Sequence, residues 1–354
     1  MKTISIAGRT IGRGHPPYVI AEMSGNHNGD IERAFALIDA ARAAGADAVK
    51  LQTYTADTMT IDHHGPGFDI HGGLWGGRSL YELYQEATTP WEWHSALFEH
   101  ARRKGIAIFS TPFDPTAVEF LDRLAAPAFK IASFELVDLP LIELCARTGK
   151  PLIMSTGMAN ETEITEALET AQGAGNDQIV LLHCVSGYPT PIADSNIARI
   201  TRLAERFDVA IGLSDHTPGV TVPIAATALG ACVIEKHFTL RRADGGPDAA
   251  FSLEPEELRQ LVEGVRGAWE ALGDGAEKVE PSEAVSLQYR RSLYVVADIP
   301  AGGEITPDNV RSIRPGFGLA PKEAKRILGA RAARPLKRGT PLDWSMIEGG
   351  PREA

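Results

Sequence analysis

Short apolar, β-branched runs recur along the chain at 18–21, 48–52, 106–110, 128–132, 151–155, 179–184, 209–213 and 232–238. A polar turn follows each run. Between them lie stretches with helical spacing of apolar positions, such as 31–44, 91–104, 161–172 and 255–272. Asp30 stands where the first of these helices needs an N-cap, and Gly45 and Gly105 stand where two of them need a residue that turns left-handed. Strands apolar on both faces, alternating with helices, predict a parallel sheet covered by helices. Eight such units within about 250 residues fit a closed (β/α)8 barrel of the TIM type. An open doubly wound sheet would need a glycine-rich phosphate turn after its first strand. Ala21-Glu22-Met23-Ser24-Gly25-Asn26-His27-Asn28 is not such a turn.

Two segments break the rhythm. Residues 56–90 follow the second strand and carry His71-Gly72-Gly73-Leu74-Trp75-Gly76-Gly77-Arg78. A long loop at that end of a barrel strand usually shapes the substrate pocket, and Trp75, Tyr81 and Tyr84 argue against a merely flexible surface loop. After the helix at 255–272 the pattern changes to short β-like runs such as 292–297, to Gly- and Pro-rich turns, and to a helix-like stretch at 321–327. The expected organisation is a barrel over 1–275, a charged linker over 276–289 and a small β-rich module over 290–354.

Composition narrows the function. Of the 354 residues, 44% are hydrophobic and 23% charged, so a core of ordinary size is available. The net charge of −11, with no long Lys/Arg run, disfavours nucleic-acid binding, which needs a basic face. Cys145, Cys184 and Cys232 are far apart and form no CxxC pair, as expected of reduced thiols in a cytoplasmic protein. The N-terminus lacks a signal-peptide pattern, and the most apolar stretch, 220–234, is too short for a membrane span.

In a barrel the active site lies at the C-terminal ends of the strands. Those ends carry Glu22, Lys50 and Gln52, Ser110 and Thr111, Lys130, Ser133 and Glu135, Ser155, His183 and Ser186, Ser214, Asp215 and His216, and Glu235, Lys236 and His237. A lone strand lysine is usually an ion pair and a lone serine a cap. Polar groups in apolar strands are costly unless paired or used, and here they collect at one end of every strand. Lys50 and Lys130 with Thr111, Ser133, Ser155, Ser186 and Ser214 suit a ligand with a phosphate and a second anionic group. Adjacent strands stand about 4.8 Å apart, so His216 and His237 can share one catalytic divalent metal; the alternative is a pair of hydrogen-bonding barrel histidines.

At these same positions the chain resembles a known family. Tyr18-Val19-Ile20-Ala21-Glu22 with Asn26-His27-Asn28-Gly29-Asp30, Val49-Lys50-Leu51-Gln52, Ser110-Thr111-Pro112-Phe113-Asp114, Lys130-Ile131-Ala132-Ser133-Phe134-Glu135, Met154-Ser155-Thr156-Gly157-Met158, Gly212-Leu213-Ser214-Asp215-His216-Thr217 and Ile234-Glu235-Lys236-His237-Phe238-Thr239 are similar to the sialic-acid (nonulosonate) synthases. The match runs in order through the whole chain. Its last part, from Arg291-Ser292-Leu293-Tyr294 through Ile313-Arg314-Pro315-Gly316, resembles the antifreeze-like (SAF) module of those enzymes. The 22–28 segment and the Trp75 loop look most like the branch that makes pseudaminic acid from 2,4-diacetamido-2,4,6-trideoxy-L-altrose.

The resemblance implies a metal-dependent condensation of phosphoenolpyruvate with an aminosugar and water, releasing phosphate. Lys50 and Thr111 would meet the phosphoenolpyruvate carboxylate; Lys130, Ser133, Ser155 and Ser214 its phosphate, with Ser186 where the family usually has Asn. His216 and His237 would bind the metal, Mn2+ before Mg2+ or Co2+. Glu22, Gln52, Tyr188 and Asp248 would touch the sugar, and Glu135 would act on the attacking water. Arg314 would reach the active site of a partner in a domain-swapped homodimer. Other readings are a neuraminate or legionaminate synthase, a metal-dependent aldolase without phosphoenolpyruvate, and a non-catalytic sugar-phosphate-binding protein.

Overall fold

The computed structural model describes residues 2–350. It divides into two compact units, one ending at Gly273 and one beginning at Asp274.

The first unit opens with an antiparallel hairpin, β1 (Ile4–Ile6) and β2 (Arg9–Ile11). Eight parallel strands follow: β3 (Tyr18–Glu22), β4 (Ala48–Thr53), β5 (Ala107–Pro112), β6 (Phe129–Ile131), β7 (Leu152–Ser155), β8 (Ile179–Cys184), β9 (Ala210–Asp215) and β10 (Val233–His237). They close in sequence order, with β10 pairing β3. The helices between them are α1 (Ile31–Ala43), α2 (Ala56–Met59), α3 (Leu80–Ala87), α4 (His94–Lys104), α5 (Pro115–Arg123), α6 (Leu139–Arg147), α7 (Glu161–Gly173), α8 (Ala198–Arg206), α9 (Thr221–Ala228) and α10 (Pro255–Leu272). The expected caps form: Asp30 accepts from the Glu32 amide, and Gly45 and Gly105 take φ of 88° and 67°. The stretch at 91–104 is not one helix; a 3-10 turn at Trp91–Trp93 precedes α4.

Period-two alternation sorts the strand residues between two cores. Val19, Ala21, Val49, Leu51, Leu181 and Leu213 pack outward against the helices. Tyr18, Ile20, Ala48, Phe109, Ile153, Leu182 and Val233 fill the lumen together with Ile4, Ile6 and Ile11 of the hairpin. The hairpin thus seals the N-terminal end of the barrel. Its three-residue strands are too short to announce themselves as a pattern in sequence. Among the described residues, no helix is long and apolar enough to cross a membrane, and all three cysteines are free and buried.

The second unit has its own core of Leu293, Val295, Ile305, Ile327, Leu336 and Leu342. β11 (Ser292–Val295) pairs antiparallel with β12 (Val310–Ile313), and isolated bridges such as Ile299 to Leu336 complete a small irregular β module. The helix-like stretch is a 3-10 turn at Pro321–Glu323 running into α11 (Ala324–Ile327). Residues 284–289 form a 3-10 turn, and the Gln288 carbonyl receives the Gly316 amide, so this segment packs within the module.

Candidate functional site

Continuing the alternation past the apolar lumen gives one inward position on each strand: Glu22, Lys50, Thr111, Lys130, Ser155, Cys184, Ser214 and Glu235. All eight are buried, and together they form a polar layer directly above an apolar plug. The layer is wired by charge. Lys50 Nζ lies 2.8 Å from Glu22 Oε2, 3.2 Å from Thr111 Oγ1 and 3.6 Å from Glu235 Oε1. Lys130 Nζ and Ser214 Oγ each reach that same Glu235 oxygen at 3.2 Å. Burial works against the Lys50 ammonium, yet Glu22 and Glu235 hold its pKa above the ordinary value. Lys130 titrates lower than an ordinary lysine, through burial and then the neighbouring Lys50, with Glu235 opposing. Two cations therefore stand side by side, and Ser155 Oγ is buried with no hydrogen-bond partner. Buried polar groups are rarely left unpaired, so this hydroxyl is placed to serve a ligand.

Next to the lysines is a cradle. Ser133 Oγ accepts from the Gly157 amide at 3.1 Å. A Cβ at position 157 would collide with Ser186 Oγ and stand 2.7 Å from Ser133 Oγ. Only glycine leaves the two hydroxyls free to converge there.

His216 and His237 meet at the mouth, at the ends of β9 and β10, their ring centroids 5.3 Å apart. His216 Nδ1 faces the Val185 carbonyl at 3.0 Å, which assigns that nitrogen a proton and leaves Nε2 as the nitrogen that can offer a lone pair. His237 Nδ1 is buried without a hydrogen-bond partner, 3.7 Å from Asp248 Oδ2. Burial, then His216, push the His237 pKa well below the usual imidazole range, so it is neutral at physiological pH. Burial works against the His216 imidazolium, yet Cys184 and the Val185 carbonyl hold its pKa above the ordinary value. It is therefore with His216 deprotonated that the two rings, with a carboxylate in reach, fit a divalent cation that keeps open positions. Among the described residues, no cluster of three or more His, Cys, Asp or Glu forms a ready-made cage.

A polar pocket adjoins the histidines. Gln52 Nε2 donates to Glu22 Oε1 at 2.9 Å and to Ser24 Oγ at 3.2 Å, and Ser24 in turn donates to Asp248. Burial and the nearby Glu22 raise the Asp248 pKa to about 6. Tyr188 covers the pair, its ring 4.4 Å from His216, and Phe251 lies 4.9 Å from His237. Glu135 enters from the loop after β6. Its Oε2 is buried and unpartnered, and burial lifts its pKa to about 7.

Thirteen of the fifteen expected site residues accordingly fall into these linked clusters around the mouth of the first unit, and Glu135 faces the same end of the barrel. Arg314 lies in the second unit, exposed just after β12. The idea that every polar strand end faces the mouth needs correction. Ser110 bonds Thr53 Oγ1 at 2.6 Å, His183 bonds the Ser195 carbonyl at 2.7 Å, and Lys236 pairs with Asp215 at 2.5 Å. These residues have the outward parity, and they tie the strands to the loops and to one another. Sequence reasoning missed the roles of Ser24, Glu235 and Phe251, and read Cys184 only as a reduced thiol although it faces the site, 3.9 Å from His216 Nδ1. Strand parity would have found Glu235 and Cys184; nothing local marks Ser24 or Phe251.

Comparison with known proteins agrees with this geometry. Residues 37–277 match the NeuB family and residues 290–348 the SAF domain. The chain is 46% identical to a pseudaminic acid synthase of Helicobacter pylori, over 94% of this chain and 98% of the relative. It is 38% identical to an N,N'-diacetyllegionaminic acid synthase of Legionella pneumophila, over 94% of each. A crystal structure of an N-acetylneuraminic acid synthetase from Leptospira borgpetersenii superposes with a TM-score of 0.73 at 32% identity, covering 81% of this chain and 95% of that one.

Proposed function

The chain belongs to the NeuB family, and from that premise we propose that it condenses phosphoenolpyruvate with 2,4-diacetamido-2,4,6-trideoxy-L-altrose and water to give pseudaminic acid and phosphate. The observation that carries the reading is the buried layer of two lysines and hydroxyls beside two imidazoles. A phosphate and a carboxylate on one small molecule match the two cations, and an aldehyde oxygen matches the histidine pair.

Lys50 and Thr111 bind the carboxylate of phosphoenolpyruvate. Lys130, Ser155, Ser214 and the Ser133–Gly157–Ser186 cradle bind its phosphate. Glu22, Gln52, Tyr188 and Asp248 orient the open-chain sugar so that its aldehyde carbon faces C3 of the enol. His216 and His237 hold a divalent cation, with Mn2+ expected, which when bound supplies Lewis acidity to the aldehyde oxygen. The C3–C1 bond forms as the enol π electrons move to the aldehyde carbon and the C=O π pair moves to the aldehyde oxygen, which takes a proton from solvent to become a hydroxyl. Water then adds to the electron-poor C2, and Glu135 takes its proton. The resulting tetrahedral centre expels phosphate by cleaving the C–O bond, leaving the 2-keto acid. Lysines that hold charge present before and after reaction set binding, whereas Glu135 acts on charge that changes and sets turnover.

The enzyme works as a domain-swapped homodimer in which Arg314 from a second copy of the chain reaches the sugar. Three free cysteines suit a reducing cytoplasm. Phosphate release from phosphoenolpyruvate, measured with the altrose, N-acetylmannosamine and a bacillosamine-type sugar in turn, tests the assignment. Turnover fastest with the altrose is expected; release with none of the three overturns it.

A further inference from the structure

The loop between α2 and α3 is built to hold one side chain. Its ends are pinned: the Ile70 amide donates to the Arg78 carbonyl at 2.9 Å, the Gly77 amide to the Ile70 carbonyl at 3.0 Å, and the Gly65 amide to Asp69 Oδ2 at 2.8 Å. At the tip, a Cβ on Gly76 would lie 2.9 Å from the Gly72 backbone nitrogen, so two backbone strands touch where no side chain fits. Gly72, Gly73 and Gly77 take φ of 95°, 71° and 89°, a region side chains rarely enter. This closed tip carries Trp75. The indole Nε1 donates to the Pro247 carbonyl at 2.8 Å, next to Asp248, and the ring lies 5.6 Å from Tyr188. Tyr188 in turn lies on His216. Trp75 is therefore two ring steps from the imidazoles, beyond the tyrosine.

We infer that Trp75 is a specificity-determining residue, the wall that meets the end of the sugar farthest from the aldehyde and selects a methyl group there over a hydroxymethyl. The inference rests on the reaction assigned above, in which the aldehyde carbon sits at the histidines and the sugar extends outward along Tyr188. The indole has a single hydrogen-bond donor, and Pro247 occupies it. What remains toward the ligand is an apolar ring. A methyl group gains burial against it, whereas a hydroxyl loses water there without a replacement partner. The same latch to Pro247 fixes the segment that carries Asp248 and Phe251, so the wall and the polar pocket are set by one contact.

The test compares kcat/KM for 2,4-diacetamido-2,4,6-trideoxy-L-altrose with kcat/KM for 2,4-diacetamido-2,4-dideoxy-L-altrose, which differs only in its hydroxymethyl end, in wild type and three variants. Trp75→Ala should lower the ratio roughly 10- to 100-fold, the range over which an apolar pocket discriminates, with the phosphoenolpyruvate KM within about twofold. Trp75→Phe, which keeps a ring and loses the latch, should lower it less. Gly76→Ala leaves the indole intact and forces the tip apart, and should lower the ratio as Trp75→Ala does. An unchanged ratio in Trp75→Ala, with wild type active on the altrose, overturns the inference alone. Wild type that releases no phosphate with either sugar overturns the reaction itself and the inference with it.

Discussion

Lys130 Nζ lies 3.2 Å from Glu235 Oε1, although β6 and β10 stand on opposite sides of the closed barrel. The two side chains span the lumen. Because Lys50 and Ser214 reach the same oxygen, a single carboxylate sets the spacing of both cations. Lys130→Met keeps the bulk of the side chain and removes the charge. Losing one partner of a buried charge pair costs about 2–5 kcal/mol, roughly 30- to 4,000-fold. The expected result is a rise of that order in the phosphoenolpyruvate KM, with a much smaller change in the sugar KM, read from steady-state phosphate release.

Glu135 should govern the acid limb of the rate profile. Its pKa is lifted to about 7, above the ordinary carboxylate range, by burial. The ionised form, which can accept a proton from water, is therefore lost as pH falls through 7 and complete above it. Turnover should fall tenfold per pH unit below that point. Glu135→Gln should lower kcat by about 10²- to 10⁴-fold, abolish that limb and leave phosphoenolpyruvate affinity close to wild type. A limb that persists in the glutamine variant removes the residue from this role.

His237→Ala should remove metal binding as well as activity. Isothermal titration of the apoprotein with Mn2+ should show one site in wild type and none in the variant. A chelator should silence the wild-type enzyme reversibly. A variant that still binds one equivalent of Mn2+ with unchanged affinity places the ion elsewhere.

Lys236 tests the outward-facing set. Its side chain is fully buried against Asp215, which also accepts from the Thr217 amide at 3.1 Å and hydroxyl at 3.0 Å. Lys236→Met leaves the Asp215 charge without its cation, at a cost of about 3–5 kcal/mol. Urea unfolding should show a correspondingly lower midpoint with an unchanged slope.

Arg314→Ala should raise the sugar KM while leaving phosphoenolpyruvate binding alone. Mixing it with the Glu135→Gln chain under conditions of subunit exchange should restore activity, because one site of the mixed dimer then has both groups. No recovery, or a monomer by analytical ultracentrifugation, contradicts the shared site.

Much of this molecule is legible before folding. Eight apolar runs and their intervening amphipathic stretches determine a parallel sheet covered by helices, and the lack of a glycine-rich turn after the first strand favours the closed barrel over the open doubly wound sheet. Chemistry of the site is legible too, because a lysine or serine inside an apolar strand has to be explained. Parity is only half legible: Lys130 and Lys236 both sit in strands, yet one faces the lumen and the other the helices, and that follows from where each strand starts in the barrel. Only the tertiary structure decided that Glu235 draws two lysines to one oxygen across the lumen, that Ser24 bonds Asp248 from 224 residues away, and that Trp75 stands on Tyr188. Those contacts depend on barrel closure and loop return, which bring together segments whose local sequences carry no trace of each other.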